Sequence, residues 1–322
     1  MSWLFGVLDA QLRSAWRRRH GSGEPLLISL VPERFEDGAW SGVPRFDWEL
    51  RKAFDGLISL ALTPATRVLL AQLARSRPDT IVITANETSL DVPDALRTIV
   101  VHHGCAQTHF DRDPHWRGRG PHRLCAAQRA MYQRPNRTFV APSAWVAEQF
   151  STHYQVPLAP VIPNWVPGLA AAADEAHAKQ RVLGDFRTWN KGSEVLPRLA
   201  ARMPELEFRA LSCTYATRHE AYARADAYLG LSVSEGGSYA LCDAEVARLP
   251  IVMTDVGNCR EFSAANVIAW GARDDLDQVS SALERALREP RAASFYEQFS
   301  FERWRSAWRA VVAGVRESAA QS

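Results

Sequence analysis

The chain has 322 residues, enough for two domains of ordinary size, and its 47% apolar and 23% charged residues are those of a folded globular protein rather than a disordered one. A net charge of +2 makes no electrostatic case for nucleic acid as a partner, and no apolar run approaches the ~20 residues needed to cross a bilayer. The five cysteines (Cys105, Cys125, Cys213, Cys242 and Cys259) are odd in number and form no CxxC pair, which favours reduced thiols in the cytoplasm over a disulfide framework or a zinc knuckle.

The first segment, "WLFGVLDAQLRSAWRRR", places Leu4, Phe5, Leu8, Leu12 and Trp16 near helical spacing ahead of three arginines. Its arginines follow the apolar part, so it does not read as a secretory signal. Packing on its own domain and resting on an anionic membrane are both open to such a segment. Apolar runs at 25–31, 80–85, 98–103 and 137–143 then read as buried strands, with helical patterns at 46–60, 66–76, 121–133 and 143–154. After "PNWVPGLAAAADEAHAKQ" (163–180), a Pro-, Gly- and Ala-rich interdomain linker, the alternation resumes. Strands are expected at 181–186, 206–212, 227–233, 251–255 and 267–271, and helices at 191–203, 215–224, 238–248 and 274–288. Alternation of this kind predicts α/β halves with parallel sheets and right-handed crossovers. The last pattern, "FERWRSAWRAVVAGVRES", puts Trp304, Trp308, Val311, Val312 and Val315 on one face of a helix that packs on the body of the protein.

Ligands of open parallel sheets bind beyond the carboxyl ends of the strands. "LSVSEGGSYALCDAEVARLPIVMTDVG" (231–257) has that form: a strand, a Ser234-Glu235-Gly236-Gly237 turn, then a helix beginning near Ser238 and Tyr239. Gly236 and Gly237 let backbone approach a ligand, the helix N-terminus suits a phosphate, and the carboxylates of Glu235 and Asp243 accept hydrogen bonds from vicinal hydroxyls. A helix cap followed by an exposed acid is the plain alternative.

The order of this whole segment resembles the donor-site signature of GT-B glycosyltransferases, in particular the large retaining family 4. Spacing matches without a gap from Ser232 through Glu235, Gly236, Asp243, Ala244 and Pro250 to Val252, followed by Gly257 and Glu261. Two positions depart: the family's second glutamate is Asp243 here, and its Phe-Gly after Glu-Gly is Gly237-Ser238. "RVLGDFRTWNKGS" resembles the family's Gly-Arg…Lys-Gly loop, with Gly184 at the strand end and Lys191-Gly192 as the Lys-Gly pair. The family's arginine is Asp185 in this chain, and Arg187 is the nearest replacement. "TIVVHHGC" carries the histidine that the family has at a strand end; His103 is the preferred match and His102 its competitor. "FVAPSAWVAEQFSTHYQVPLAPVIPN" resembles the stretch before the linker, with Ser143 as a helix N-cap, and Trp165 stands where a glycine usually follows Pro-Asn. "WSGVPRFDWELRKAF" resembles the glycine-rich loop and first helix, with Gly42 near the phosphate.

The resemblance implies an acceptor-binding Rossmann-like domain over 1–165, a nucleotide-sugar domain over 166–300, and a helix over 301–322 that returns to the first domain. It implies transfer from a nucleotide diphosphate-sugar to a saccharide or lipid-linked acceptor, with retention of configuration and without a metal or other cofactor. Glu235 would hold the sugar, Asp243 the ribose, and Lys191 with Arg187 the diphosphate, which itself takes the acceptor's proton. His103 would face the donor sugar, and Gly42, Gly184, Gly236, Gly237, Ser238 and Tyr239 would complete the donor site. The expected setting is cell-surface polysaccharide, lipopolysaccharide or glycolipid synthesis, in the cytoplasm or peripherally at the inner face of the membrane. The alternative is a degenerate GT-B domain acting as a binding or scaffold subunit.

Other signals weigh less. Asp111-Arg-Asp113 has the form of a metal motif from a different glycosyltransferase fold, and the histidines at 102, 103, 109, 115 and 122 keep no zinc spacing. Arg112, Arg117 and Arg119 follow the cleft histidine closely, and as a group they suggest an anionic acceptor; a solvated basic loop is the plain alternative.

Overall fold

A computed structural model describes residues 26–32, 42–169, 178–262, 265–288 and 294–318. In the first half, β1 (Leu27–Val31) leads to α1 (Gly42–Ala53), β2 (Ile58–Ala61), α2 (Pro64–Ser76), β3 (Ile81–Ala85), β4 (Arg97–Val101), α3 (Ala106–Arg112), α4 (Arg119–Met131), β5 (Arg137–Val140) and α5 (Ala144–Tyr154). Its five strands pair in parallel in the order β2-β1-β3-β4-β5. Every residue of β1 and β3 is buried, as expected of central parallel strands with helices on both faces.

The pattern at 46–60 had suggested one helix, but the structure ends α1 at Ala53 and makes 58–61 an edge strand. Gly56 sits at φ 80°, where glycine is favoured, and reverses the chain. Ile58 and Leu60 then alternate inward against Leu26, Ile28 and Leu70. Their period of two, Ile58 and Leu60 about Ser59, is too short to stand out after the helical pattern and was the missed signal.

In the second half, β6 (Gln180–Gly184), α6 (Leu196–Arg202), β7 (Leu206–Ala210), α7 (Arg218–Ala223), β8 (Ala227–Gly230), α8 (Tyr239–Val246), β9 (Ile251–Thr254), β10 (Ala265–Ile268) and α9 (Leu276–Arg288) follow in turn. The second sheet is also parallel, in the order β10-β9-β8-β6-β7. Chain order reverses beside β1 in one sheet and beside β6 in the other, and crevices form at such reversals.

A short α10 (Phe295–Gln298) precedes α11 (Phe301–Glu317), whose N-cap Ser300 accepts from the Arg303 N–H. Trp304 and Trp308 of α11 are fully buried. The Trp308 ring lies 5.4 Å from Phe46 of α1, and Trp165 packs on Phe301 and Trp304 at 4.8 and 6.1 Å. The last helix therefore closes back on the first half, and one apolar cluster runs from Phe46 and Leu50 through Trp304 and Trp308 to Tyr239 and Leu241. Among the described residues no helix is long and apolar enough to cross a membrane. The amphipathic segment at the start of the chain lies outside the described residues.

Candidate active site between the two sheets

Loops at the carboxyl ends of strands from both sheets meet between the halves. After β4 come His102 and His103. The His102 ring stacks on Phe150 at 3.8 Å and shares a 2.7 Å hydrogen bond between Nε2 and the Tyr132 hydroxyl. Burial pushes its pKa down to about 3. These are the surroundings of a core histidine. His103 lies edge-on to Phe46 of α1 at 5.0 Å, its carbonyl against the Gly236 turn of the second half, and burial pushes its pKa down to about 4. Its Nε2 is buried with no hydrogen-bond partner among the described residues, as is Nδ1 of His102; of the two, His103 lacks the Phe150 stack and the Tyr132 hydroxyl that hold His102 in place.

After β6 the chain passes Asp185 and Arg187 into a 3-10 turn, Trp189–Lys191. Gly192 has φ +89°, and a Cβ there would lie 2.6 Å from Leu231, so the turn requires glycine. Lys191 Nζ bonds the Glu235 carboxylate, which also accepts from Ser232 Oγ at 2.7 Å. The structure thus unites Lys191 and Glu235, from loops 44 residues apart. Arg187 stands aside, half exposed, its guanidinium forked onto both oxygens of Asp185 at 2.7 and 3.0 Å. Burial would raise the Asp185 carboxyl, but hydrogen bonds from Arg187 and the Lys191 charge outweigh it and hold the group below its usual value. Gly184 is a packing glycine: a Cβ would meet the Leu229 carbonyl and the Phe186 ring at 2.3 Å.

After β8 the glycine turn presses on the first half. A Cβ on Gly236 would lie 1.9 Å from the His103 carbonyl oxygen, and one on Gly237 2.8 Å from Asn164. Ser143, the N-cap of α5 that sequence anticipated, also donates to the Gly236 carbonyl at 2.6 Å, while Asn164 donates to Gly237 at 2.8 Å. Ser238 caps α8, and its own N–H goes to Asn258 Oδ1 at 3.0 Å. The two glycines here serve the close approach of the halves.

Asp243, expected to hold the ribose, is engaged by arginines in this structure. The carboxylate is wholly buried, and Arg45 of α1 forks onto it at 2.7 and 2.8 Å, with Arg218 at 3.4 Å. The Arg45 guanidinium lies over the Tyr239 ring at 4.4 Å, so Tyr239 is a wall of the same contact. Beside it, Tyr215 donates to the buried Glu49 of α1 at 2.6 Å. Arg45, Glu49, Tyr215 and Arg218 were missed by sequence reasoning; Arg45 and Asp243 are 198 positions apart, and no local pattern announces such a pair. Gly42 is exposed at the start of α1 with open space around it.

The three arginines proposed for an acceptor part company. Arg112 crosses the cleft to the Val233 carbonyl at 2.9 Å and lies over Trp270 at 4.4 Å. Arg117 is exposed over Phe110 at 4.8 Å, and Arg119 is exposed at the start of α4. Asp111 and Asp113 take separate partners: Gln107 for the first, His109 and the His115 N–H for the second.

No family model matches the chain, and no curated protein matches it in sequence. Solved structures do. Sucrose-phosphate synthase from Thermosynechococcus elongatus superposes with a TM-score of 0.62 at 12% identity, over 92% of this chain and 98% of its own. The lipopolysaccharide outer core galactosyltransferase WaaB gives 0.53 at 12% identity, over 90% and 99%. TarM gives 0.56 at 14% identity over 76% of this chain, which spans only 57% of TarM. A TarM variant at the same TM-score was solved with fondaparinux, α-GlcNAc-glycerol and UDP. These likenesses show the fold, which is GT-B.

Proposed function

We propose that the chain is a glycosyltransferase that moves a sugar from a nucleotide diphosphate-sugar to a saccharide or lipid-linked acceptor. The observation that carries this is the meeting of Lys191 and Glu235, at the carboxyl ends of β6 and β8, opposite the unpartnered ring nitrogen of His103. A departing diphosphate gathers negative charge that Lys191 neutralises, and a low-dielectric cleft strengthens the effect. Glu235 would then exchange its lysine for sugar hydroxyls, while His103, neutral at physiological pH, hydrogen-bonds the sugar from the other half. Arg187 reaches the diphosphate once it leaves Asp185. The transition state has oxocarbenium character.

Family resemblance supports the finer reading: retention of configuration, no metal, and a role in cell-surface polysaccharide, lipopolysaccharide or glycolipid synthesis at the inner face of the membrane. The exposed Arg117 and Arg119 supply the positive charge for an anionic acceptor.

The test is a thermal-shift panel of UDP, GDP, ADP and CMP compounds and their sugars on wild type and Lys191→Ala. One diphosphate should raise the melting temperature of wild type by several degrees and leave the variant unmoved. Absence of any shift, or an equal shift in Lys191→Ala, would refute the assignment of this site.

A further inference from the structure

The segment after β9 touches the glycine turn of the candidate site with one end and a helix of the first half with the other. It is a 3-10 turn, Gly257–Glu261. Gly257 has φ +63°, and a Cβ there would lie 2.6 Å from Cβ of Glu235, so the position requires glycine and its backbone lies against Glu235. Asn258, 1% exposed, accepts the Ser238 N–H at 3.0 Å and returns its amide to the Ser238 carbonyl at 3.4 Å. Residues 235–238 therefore rest on 257–258.

The far end of the turn crosses to the first half. Glu261 Oε1 accepts the N–H of Ala144, the first residue of α5, at 2.7 Å. Ser143, adjacent in the chain, donates to the Gly236 carbonyl at 2.6 Å. These contacts close a ring: Gly236 to Ser143, Ala144 to Glu261, and Glu261 back through its turn to Glu235. An amide in the first turn of a helix has no partner within the helix, and the positive end of the helix dipole favours a carboxylate there. Here the carboxylate comes from the opposite half, 117 positions away.

Stability alone is a poor reason to place an acid at this point. Burial and the Glu148 charge raise the Glu261 pKa by more than its hydrogen bonds and Arg260 lower it. Its Oε2 is buried with no hydrogen-bond partner among the described residues, which is itself unfavourable. The neighbouring crossing, Arg260 to Glu148 at 2.9 Å, leaves 44% and 47% of the two side chains exposed, and an exposed pair of that kind contributes little.

We propose that Glu261 is a positioning residue for transfer: by capping α5 across the seam it fixes the register of the turn that carries Glu235, and so sets Glu235 and its partner Lys191 against the first half. This rests on the transferase reading and deepens it, naming a residue that acts through Glu235 rather than on the substrate. Without the cap, the Ser143 bond alone ties α5 to the glycine turn, and a shift of about 1 Å between reacting groups costs on the order of 10²-fold in rate.

The experiment sets Ala144→Pro beside Glu261→Ala. Proline is favoured at the first position of a helix, and Ser143 already holds the extended backbone that suits the residue before a proline, at φ −155° and ψ 153°. The substitution thus removes the N–H that Glu261 accepts and spares α5. Turnover of UDP-, GDP-, ADP- and CMP-sugars with a saccharide acceptor, nucleotide binding by thermal shift, and radius of gyration by small-angle scattering are measured for wild type, both single variants, their double, Glu261→Gln and Glu148→Ala. We expect each single variant to lose on the order of 10²-fold in kcat, to bind nucleotide as wild type does because Lys191 and Glu235 belong to one half, and to show a larger radius. The double variant should lose no more than the worse single one, since both remove the same bond. Glu261→Gln keeps an acceptor oxygen and should recover most of the loss, and Glu148→Ala should stay within roughly twofold of wild type. Losses that multiply in the double variant, an equal loss in Glu148→Ala, or wild-type turnover in Glu261→Ala would overturn the proposal. Should wild type transfer from none of these sugars, the transferase reading falls, and scattering still decides the clasp: unchanged radii in Glu261→Ala and Ala144→Pro refute it.

Discussion

Arg45→Ala tests whether the buried pair between α1 and α8 holds the two halves together. In the folded protein Arg45 and Asp243 keep 3% and 0% of their side-chain surface, and the fork between them is bidentate. Removing the arginine leaves a carboxylate in the interior whose remaining partner is Arg218 at 3.4 Å. A buried charge left without any partner costs about 3–5 kcal/mol; with Arg218 still at hand the cost is at most that, a fall in melting temperature of up to about 10 °C in a chain of this size. Asp243→Asn should cost a similar amount. The double variant Arg45→Met/Asp243→Leu should recover much of the loss, because apolar side chains of similar volume often replace a buried ion pair at little cost. Recovery stays partial, since Arg218 then keeps only the Tyr215 carbonyl and ring. Calorimetric melting and small-angle scattering of the four proteins, with and without nucleotide, give stability and domain separation together. If Arg45→Ala melts within a degree of wild type while Asp243→Asn weakens donor binding tenfold or more, the carboxylate is a ligand and the reasoning about a latch is wrong.

Three further outcomes follow from particular contacts. Gly236→Ala places a methyl carbon 1.9 Å from the His103 carbonyl oxygen, so the halves must part; turnover should be lost while each half stays folded, read as an unchanged circular dichroism spectrum with a larger radius of gyration. Trp304→Ala removes a fully buried ring that touches Trp165 and Phe301 and should cost about 3–5 kcal/mol in urea unfolding. Burial depresses the folded-state pKa of His102 to about 3 and of His103 to about 4, so the unfolded chain binds more protons as pH falls below about 6.5. Their stabilisation is complete above that pH and is lost on acidification toward those values, at about 2–3 kcal/mol per pH unit between pH 6 and 5 for the two together. A stability flat over that interval, or unchanged in slope in His102→Phe, would contradict the assignment.

The parts of this fold legible in sequence were those written in local order. Parallel strands buried on both faces leave uninterrupted apolar runs, which is why β1, β3 and β4 stand out, and Ser143 announces its cap by preceding a helical pattern. The edge strand β2 was hidden because Ile58–Ala61 is apolar enough to extend the preceding helical pattern, and only the positive φ of Gly56 separates them. In the candidate site, Glu235 was marked by the two glycines beside it, and Lys191 only through the family resemblance. The partner of Asp243 was not, since nothing within one loop specifies which side chain of a distant helix will meet it. For the same reason Gly236 was recognised as a place of close approach, but what approaches it, the backbone of His103, is knowable only from the packing of the halves.

Burial decides which polar contacts of the cleft a ligand can replace. The Lys191 and Glu235 side chains keep 21% and 15% of their surface, and Arg187 keeps 53%. Arg187 retains water nearby, and exchanging Asp185 for a phosphate costs little because the net worth of an exposed pair is about 1 kcal/mol or less; Lys191 and Glu235, partly exposed, can each exchange the other for a phosphate or sugar hydroxyls without leaving a wholly buried charge. Arg45 and Asp243 are different in kind. Separating them for a neutral ribose would leave the guanidinium among Tyr215, Tyr239 and α8 without its carboxylate, a loss that two neutral hydroxyl hydrogen bonds at about 1 kcal/mol each do not offset. On the proposed reading, a donor entering this cleft would take Lys191 and Glu235 from each other and leave Arg45 with Asp243.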